Sequence, residues 1–285
     1  MKAQAEEQLP ELAGQVAIVT GGGRGFGREI ARALARVGVR VAVVARSQDQ
    51  LLETVSLIEE DGGRAIAITA DVSDQRAVEQ MVGEVEDRLG PVTLLVNNAG
   101  RCTAIGPVWQ VNPEEWWRDV EVNLRSTFLC THTVLQRMVP RRKGRIINFT
   151  SAAMPYLTGY DCSKVAITRF TYFLASETKE FDIHVFAISI GPTPTEMMTY
   201  ILDSPAGRKW FPDLRDWAEK NWQPLESAGP LITFLASGRA DVLTGRWVEP
   251  GYDLPELIRR AEEIERDELY IWSVRTLNDK QAESK

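Results

Sequence analysis

Histidine and cysteine are scarce in this chain, with two and three copies among 285 residues. Cys102, Cys130 and Cys162 show no paired spacing and no CxxC, and His132 and His184 lie far apart. Neither a zinc site nor a disulfide framework is expected, and packing or surface roles suit all of them. No apolar run reaches the ~18 to 20 residues that cross a bilayer. The opening stretch MKAQAEEQLPEL is acidic and lacks the apolar core of a signal peptide. A cytoplasmic, reducing location with no membrane partner is therefore expected. Positive charge is also in deficit: 33 Lys and Arg stand against 40 Asp and Glu, a net −7. That balance speaks against a nucleic-acid surface and suits a protein that binds a small molecule. An anionic ligand then needs a local basic site.

What is present is alternation. Strand-like runs at Val16–Thr20, Val39–Ala45, Ala65–Ala70, Thr93–Asn97, Arg145–Thr150, Ile183–Ile190 and Gly245–Val248 are separated by helical patterns. Phe26, Ile30, Leu34 and Val37 share one helical face, ended by Gly38, and Val78, Met81, Val82, Val85 and Leu89 share another. Asn112-Pro113-Glu114-Glu115 reads as a helix start, with a capping Asn, a first-turn Pro and acids at the positive end of the dipole. Most of the strands are too apolar to have a wet face. A doubly wound, Rossmann-type parallel sheet of about seven strands follows, with helices on both sides. No linker or repeat interrupts it, so one domain over 1–285 is expected, with a leader at 1–13.

Between the first strand and first helix lies Thr20-Gly21-Gly22-Gly23-Arg24-Gly25-Phe26-Gly27. Glycines there let the backbone turn tightly and approach a pyrophosphate seated on the helix N-terminus. Surface loops also use glycine freely; the placement between a buried strand and an amphipathic helix gives the motif its force. The second strand ends Val44-Ala45-Arg46-Ser47, where an NAD-binding fold usually carries an acid. A guanidinium at Arg46, with Arg24 nearby, suits a 2′-phosphate, whereas a carboxylate repels one. NADP(H) is the cofactor expected, the bland alternative being two solvated surface arginines.

Together these pieces resemble the classical short-chain dehydrogenase/reductase family from Gly14 to about Gly251. The matching residues are TGGGRGFG, Asp71-Val72, NNAG at Asn97–Gly100, Asn123 in EVNL, Ser151, and YDCSK from Tyr160 to Lys164. The resemblance implies that Gly21, Gly23, Arg24, Gly25, Phe26 and Gly27 form the phosphate turn. It places Asp71 and Val72 at the adenine, and Asn97 with Asn98, Ala99 and Gly100 beside the adenosine and at the sheet centre. Gly191, Thr193 and Thr195 would lie near the nicotinamide, and Tyr160 and Lys164 would also touch the cofactor. Asn123, Ser151, Tyr160 and Lys164 would be catalytic, Ser151 orienting the substrate oxygen and Asn123 holding a water that relays protons from Lys164. A homodimer or homotetramer built on two long helices is implied as well.

The chemistry has its own logic. Hydride reduction of a ketone needs an acid for the developing alkoxide. A free tyrosine, with pKa about 10, is a poor one at neutral pH, and a neighbouring ammonium lowers that value. Tyr160 and Lys164 stand one helical turn apart and so share a face. Two features depart from the family: AAMPYLTG between Ser151 and Tyr160 is several residues short, and the usual Pro-Gly after the sixth strand is Ile190-Gly191-Pro192. The short connection is expected to widen the pocket, with Tyr156 and Leu157 at its rim.

Residues 196–224 are expected to form a substrate lid. Met197, Met198, Tyr200, Ile201, Leu202, Trp210, Phe211, Trp217 and Trp222 suit closure over a bulky hydrophobic or aromatic ketone, though they equally suit packing of the lid itself. Trp116 and Trp117 read as subunit-contact or core residues. A helical extension over 253–285 is expected from Leu254, Leu257, Ile258, Ala261 and Ile264. The expected activity is an NADPH-dependent ketone/alcohol interconversion. A non-redox cyclase, dehydratase or isomerase on the same fold is the alternative that the short loop favours, and a regulator without turnover is opposed by the complete Asn–Ser–Tyr–Lys set.

Overall fold

The structure, a computed structural model, describes residues 9–151 and 154–273. Every expected strand is present, its ends displaced by at most two residues: β1 (Val16–Thr20), β2 (Arg40–Ala45), β3 (Arg64–Thr69), β4 (Leu94–Asn97), β5 (Gly144–Phe149), β6 (Ile183–Ile188) and β7 (Trp247–Val248). Between and after them come α1 (Gly25–Arg36), α2 (Gln48–Glu60), α3 (Gln75–Leu89), α4 (Pro113–Val120), α5 (Ser126–Arg141), α6 (Thr158–Thr178), α7 (Glu196–Asp203), α8 (Pro205–Trp210), α9 (Leu214–Asn221), α10 (Ala228–Ser237), α11 (Leu254–Arg259) and α12 (Ala261–Arg266).

All seven strands pair in parallel, in the order β3-β2-β1-β4-β5-β6-β7. The period-two geometry of a strand explains why β1 is apolar throughout. Ala17 and Val19 face a core shared with α1 and α10, while Val16 and Ile18 face the opposite core shared with α3, α5 and α6. The strand order reverses direction between β1 and β4. Chains leaving these two strands diverge to opposite faces and open a crevice at their carboxyl ends, which is where ligands bind in such sheets.

The expected leader needs correction at its end. Leu9 and Leu12 are buried in the α1–α10 core, and Pro10–Leu12 form a short 3₁₀ turn, because two leucines have apolar surface to hide. Residues 1–8 lie outside the described residues, as do 152–153 and 274–285. The C-terminal extension is helical as far as Arg266, with Ile264 buried in the same core. Beyond it, the Tyr270 carbonyl accepts the Trp247 N–H at 2.8 Å on the outer side of β7. Trp116 packs inside the body and donates its indole N–H to Thr158, while Trp117 is exposed.

Candidate active site

The crevice is built from the glycine turn upward. Gly21 has φ +66°, a left-handed conformation that glycine adopts freely. A Cβ on Gly27 would lie 2.1 Å from the Gly21 carbonyl oxygen, so α1 starts in direct backbone contact with the turn. Gly27 consequently packs the turn from behind and does not line the cleft. Thr20, at the end of β1, ties the turn to the neighbouring strand. Its hydroxyl accepts the N–H groups of Asn98 and Ala99 at 3.0 Å each, and the Asn98 side-chain amide donates back to the Thr20 carbonyl. On the other side Arg28 and Thr54 donate to the Gly23 carbonyl, at 2.7 and 3.2 Å. The loop is held by residues that no glycine pattern reveals.

A cavity of about 950 Å³ runs from this turn into the space beneath the lid helices. Gly21, Gly23, Arg24, Gly25, Phe26, Arg46, Asp71, Val72, Asn98, Ala99, Gly100, Ser151, Tyr160, Lys164, Gly191, Thr193 and Thr195 all line it. Asn97 does not. It is buried between β4 and β5, donating to Asn148 at 2.8 Å and to Thr131, so it serves the sheet centre alone. Arg24 pairs with Glu196, the first residue of α7, and links the glycine turn to the lid. Arg46, at the end of β2, makes no ion pair among the described residues, and its charge acts on Asp71. Burial pushes the Asp71 carboxyl up, but the hydroxyl and N–H of Ser73, with Arg118 and Arg46, prevail and hold it below the ordinary range.

Helix α6 brings the proton-transfer groups together. Tyr160 sits in its first turn and Lys164 one turn on, with the Lys164 nitrogen 5.5 Å from the Tyr160 ring centre. Ser151 lines the same cavity despite the short connection, and its side chain acts to lower the Tyr160 phenol. The expected lowering of the phenol is reversed in this structure. Burial pushes Tyr160 above the ordinary tyrosine range, and Cys102 and Asp161 act in the same direction. Lys164 instead donates to the Phe149 carbonyl at 2.9 Å, and burial lowers its ammonium to about 8.

Asn123 is wholly buried and does not line the cavity. It occupies a π-helical turn, Glu121–Arg125, between α4 and α5, the kind of bulge that inserts an extra residue to aim a group. Its side chain clamps one residue, accepting the Arg101 N–H at 2.9 Å and donating to the Arg101 carbonyl at 2.8 Å. Asp119, also buried, completes this support by taking the Arg101 guanidinium and the N–H groups of Thr103 and Ala104. Pattern reading passed over Thr20, Thr54, Asp119 and Asp161. Thr20 and Asp161 carried a signal, as the first residue of TGGGRGFG and as a charge inside YDCSK.

Met154 and Leu157 of the short loop line the cavity, while Tyr156 packs on the helices that follow β6. Tyr156, at φ +68°, lays its ring 5.1 Å from Trp210 and 5.9 Å from Phe211, and Leu157 is buried with Cys102, Ile105 and Ile201. The lid's apolar groups divide the two expected roles, since Met197, Met198, Ile201 and Trp217 line the cavity while Trp210 and Phe211 pack on Tyr156. Tyr200 points outward.

A glycine turn at a topological switch point, continuous with a Ser–Tyr–Lys cluster, defines a dinucleotide-binding α/β enzyme. The family model for short chain dehydrogenase matches residues 15–205, and the chain belongs to that family, whose oxidoreductases use NAD(P). A short chain dehydrogenase of Pseudocercospora fijiensis is 34% identical over 282 residues, 93% of this chain and 90% of that one. Among solved structures, actinorhodin polyketide ketoreductase with NADPH is similar at 30% identity and TM-score 0.75, over 84% of this chain and 96% of that one. An NAD+-bound xylitol dehydrogenase is similar at 25% identity and TM-score 0.78, over 84% and 98%. Among the described residues, no helix is long and apolar enough to cross a membrane and no cluster could hold a metal ion.

Proposed function

We propose that this chain is an NADPH-dependent ketoreductase, interconverting a bulky hydrophobic or aromatic ketone and its secondary alcohol. The observation that carries the reading is Tyr160, one turn from the Lys164 ammonium and beside Ser151, at the wall of a cavity lined by Met154, Leu157, Met198, Ile201 and Trp217. When bound, the cofactor supplies the hydride. Burial keeps Tyr160 protonated, the form that donates to the oxygen of a carbonyl as it becomes an alkoxide. Ser151 donates to the same oxygen, and Lys164 favours the phenolate left behind. Asn123 holds the Arg101 backbone, and through it the cleft wall; a proton relay through a water at Asn123 belongs to the same proposal.

Arg46 supports NADPH over NADH, since it offers a guanidinium free of ion pairs among the described residues where an acid would hold a 2′-hydroxyl. Likeness to a polyketide ketoreductase with NADPH supports a role in secondary metabolism. A single domain, a cytoplasmic site of action and assembly as a homodimer or homotetramer complete the proposal. Assembly is supported by Phe128 on α5 and Phe173 on α6, both about half exposed on the two longest helices. The direct test follows NADPH and NADH absorbance with a panel of bulky cyclic and aromatic ketones. Consumption of NADPH is expected; none with any ketone, and no alcohol oxidation with NADP+, overturns the reading.

A further inference from the structure

Among the charged groups that line the cavity, Asp161 is one that neither ketone reduction nor the cofactor turn uses. Asp161 follows Tyr160 in the first turn of α6 and lines the cavity beside Met154 and Leu157. It is half-buried. Its Oδ2 accepts the Met154 N–H at 2.7 Å, and among the described residues it makes no ion pair and no second hydrogen bond. The nearest cation on its helix, Lys164, directs its nitrogen at the Phe149 carbonyl. Burial lifts the Asp161 carboxyl to about 6, against the pull of the Met154 bond. A carboxylate in such a place is unfavourable unless something in the chamber donates to its second oxygen.

Resting on the ketoreductase reading, we propose that Asp161 is a specificity-determining residue that binds a hydroxyl group of the substrate, so that the preferred substrate is a hydroxyketone. Tyr160 and Ser151 take the carbonyl oxygen. One residue further along a helix is a turn of about 100°, so the second polar group of the substrate lies to the side of the Tyr160–Lys164 line. A hydroxyl fits better than an ammonium for two reasons. It donates to the carboxylate and accepts from the carboxylic acid, so it is held in both protonation states. It also avoids repulsion from the Lys164 charge.

A site built to bond a hydroxyl disfavours the analogue lacking it, because the buried acceptor is left unpaired. The test uses matched pairs of ketones that differ by one hydroxyl: benzylacetone against its para-hydroxy derivative, and butanone against its terminal-hydroxy derivative. The wild-type chain is expected to favour the hydroxylated member of at least one pair by about 10- to 100-fold in kcat/KM. Asp161→Ala should bring that ratio close to one. Asp161→Asn, which keeps an acceptor for the Met154 N–H if alanine disturbs folding, should reduce it part of the way. Equal turnover within both pairs overturns the inference. So does a variant in which both members slow together at an unchanged ratio, since the carboxylate then only anchors the loop. Calorimetric titration of the same pairs into protein saturated with NADP+ separates this idea from the one beneath it. If no ketone is turned over, the reductase reading fails. The hydroxyl inference then stands if Asp161→Ala abolishes tighter binding of the hydroxylated member, and falls if wild type binds the two alike.

Discussion

Ser151 and Tyr160 line one cavity although only nine positions separate them in the chain, and the Ser151 side chain draws the Tyr160 phenol down against its burial. Ser151 follows β5 and Tyr160 sits in the first turn of α6, so the shortened connection still brings both to the cavity. Trp210 and Phe211 pack on Tyr156 of that connection.

Tyr160→Phe tests the acid. Loss of the hydroxyl should lower kcat by at least ~100-fold, within the ordinary range for a general acid, and leave NADPH affinity within about threefold, because the ring and its packing remain. Steady-state rates and a fluorescence titration of NADPH measure both. Substantial ketone reduction by the variant would remove Tyr160 from its role.

The proposed preference for NADPH is tested at Arg46. Arg46→Asp replaces attraction for a 2′-phosphate with repulsion and adds a second carboxylate near Asp71, whose own acid group feels the Arg46 charge. The ratio of kcat/KM for NADPH over NADH should fall ~100-fold or more. A wild-type protein that binds both cofactors equally would contradict the assignment before any variant is made.

Asp119 is a stability prediction. It is fully buried and receives the Arg101 guanidinium and two backbone N–H groups. Asp119→Ala leaves those donors without an acceptor and should destabilise the fold by about 3–5 kcal/mol. Urea denaturation measures it; a change under ~1 kcal/mol would mean that water or Glu115, which also pairs with Arg101, takes over.

Asp161 supplies a pH signature independent of any substrate. Burial raises its carboxyl from 3.8 to about 6. The folded state therefore binds this proton more tightly than the unfolded one. The resulting stabilisation is complete below the unfolded pKa and is lost as pH rises through about 6. Asp161→Asn does not titrate there, so its stability relative to wild type should rise between about pH 4 and pH 7. After discounting for a group only half buried, the gain is about 1–2 kcal/mol. A flat difference across that range would show that the carboxyl titrates normally.

Much of this molecule is dictated by local sequence. A parallel sheet covered on both faces demands apolar runs, which is why β1 to β6 are legible as VAIVT, RVAVVA and their counterparts. A backbone that must reverse and meet a helix demands glycine, and so the turn at Gly21–Gly27 can be read in advance. A helix repeats every 3.6 residues, so Tyr160 and Lys164 share a face whatever surrounds them. Burial and partners are another matter, because they are set by segments distant in the chain. The Arg24–Glu196 pair joins residues 172 positions apart, and the Thr20 hydroxyl finds Asn98 only because β1 and β4 lie side by side. Nothing in AAMPYLTG announces that Tyr156 turns left-handed to meet the lid. The direction of the Tyr160 shift is the clearest case: spacing places the cation one turn away, but burial among distant segments raises the phenol, and no helical spacing announces that burial.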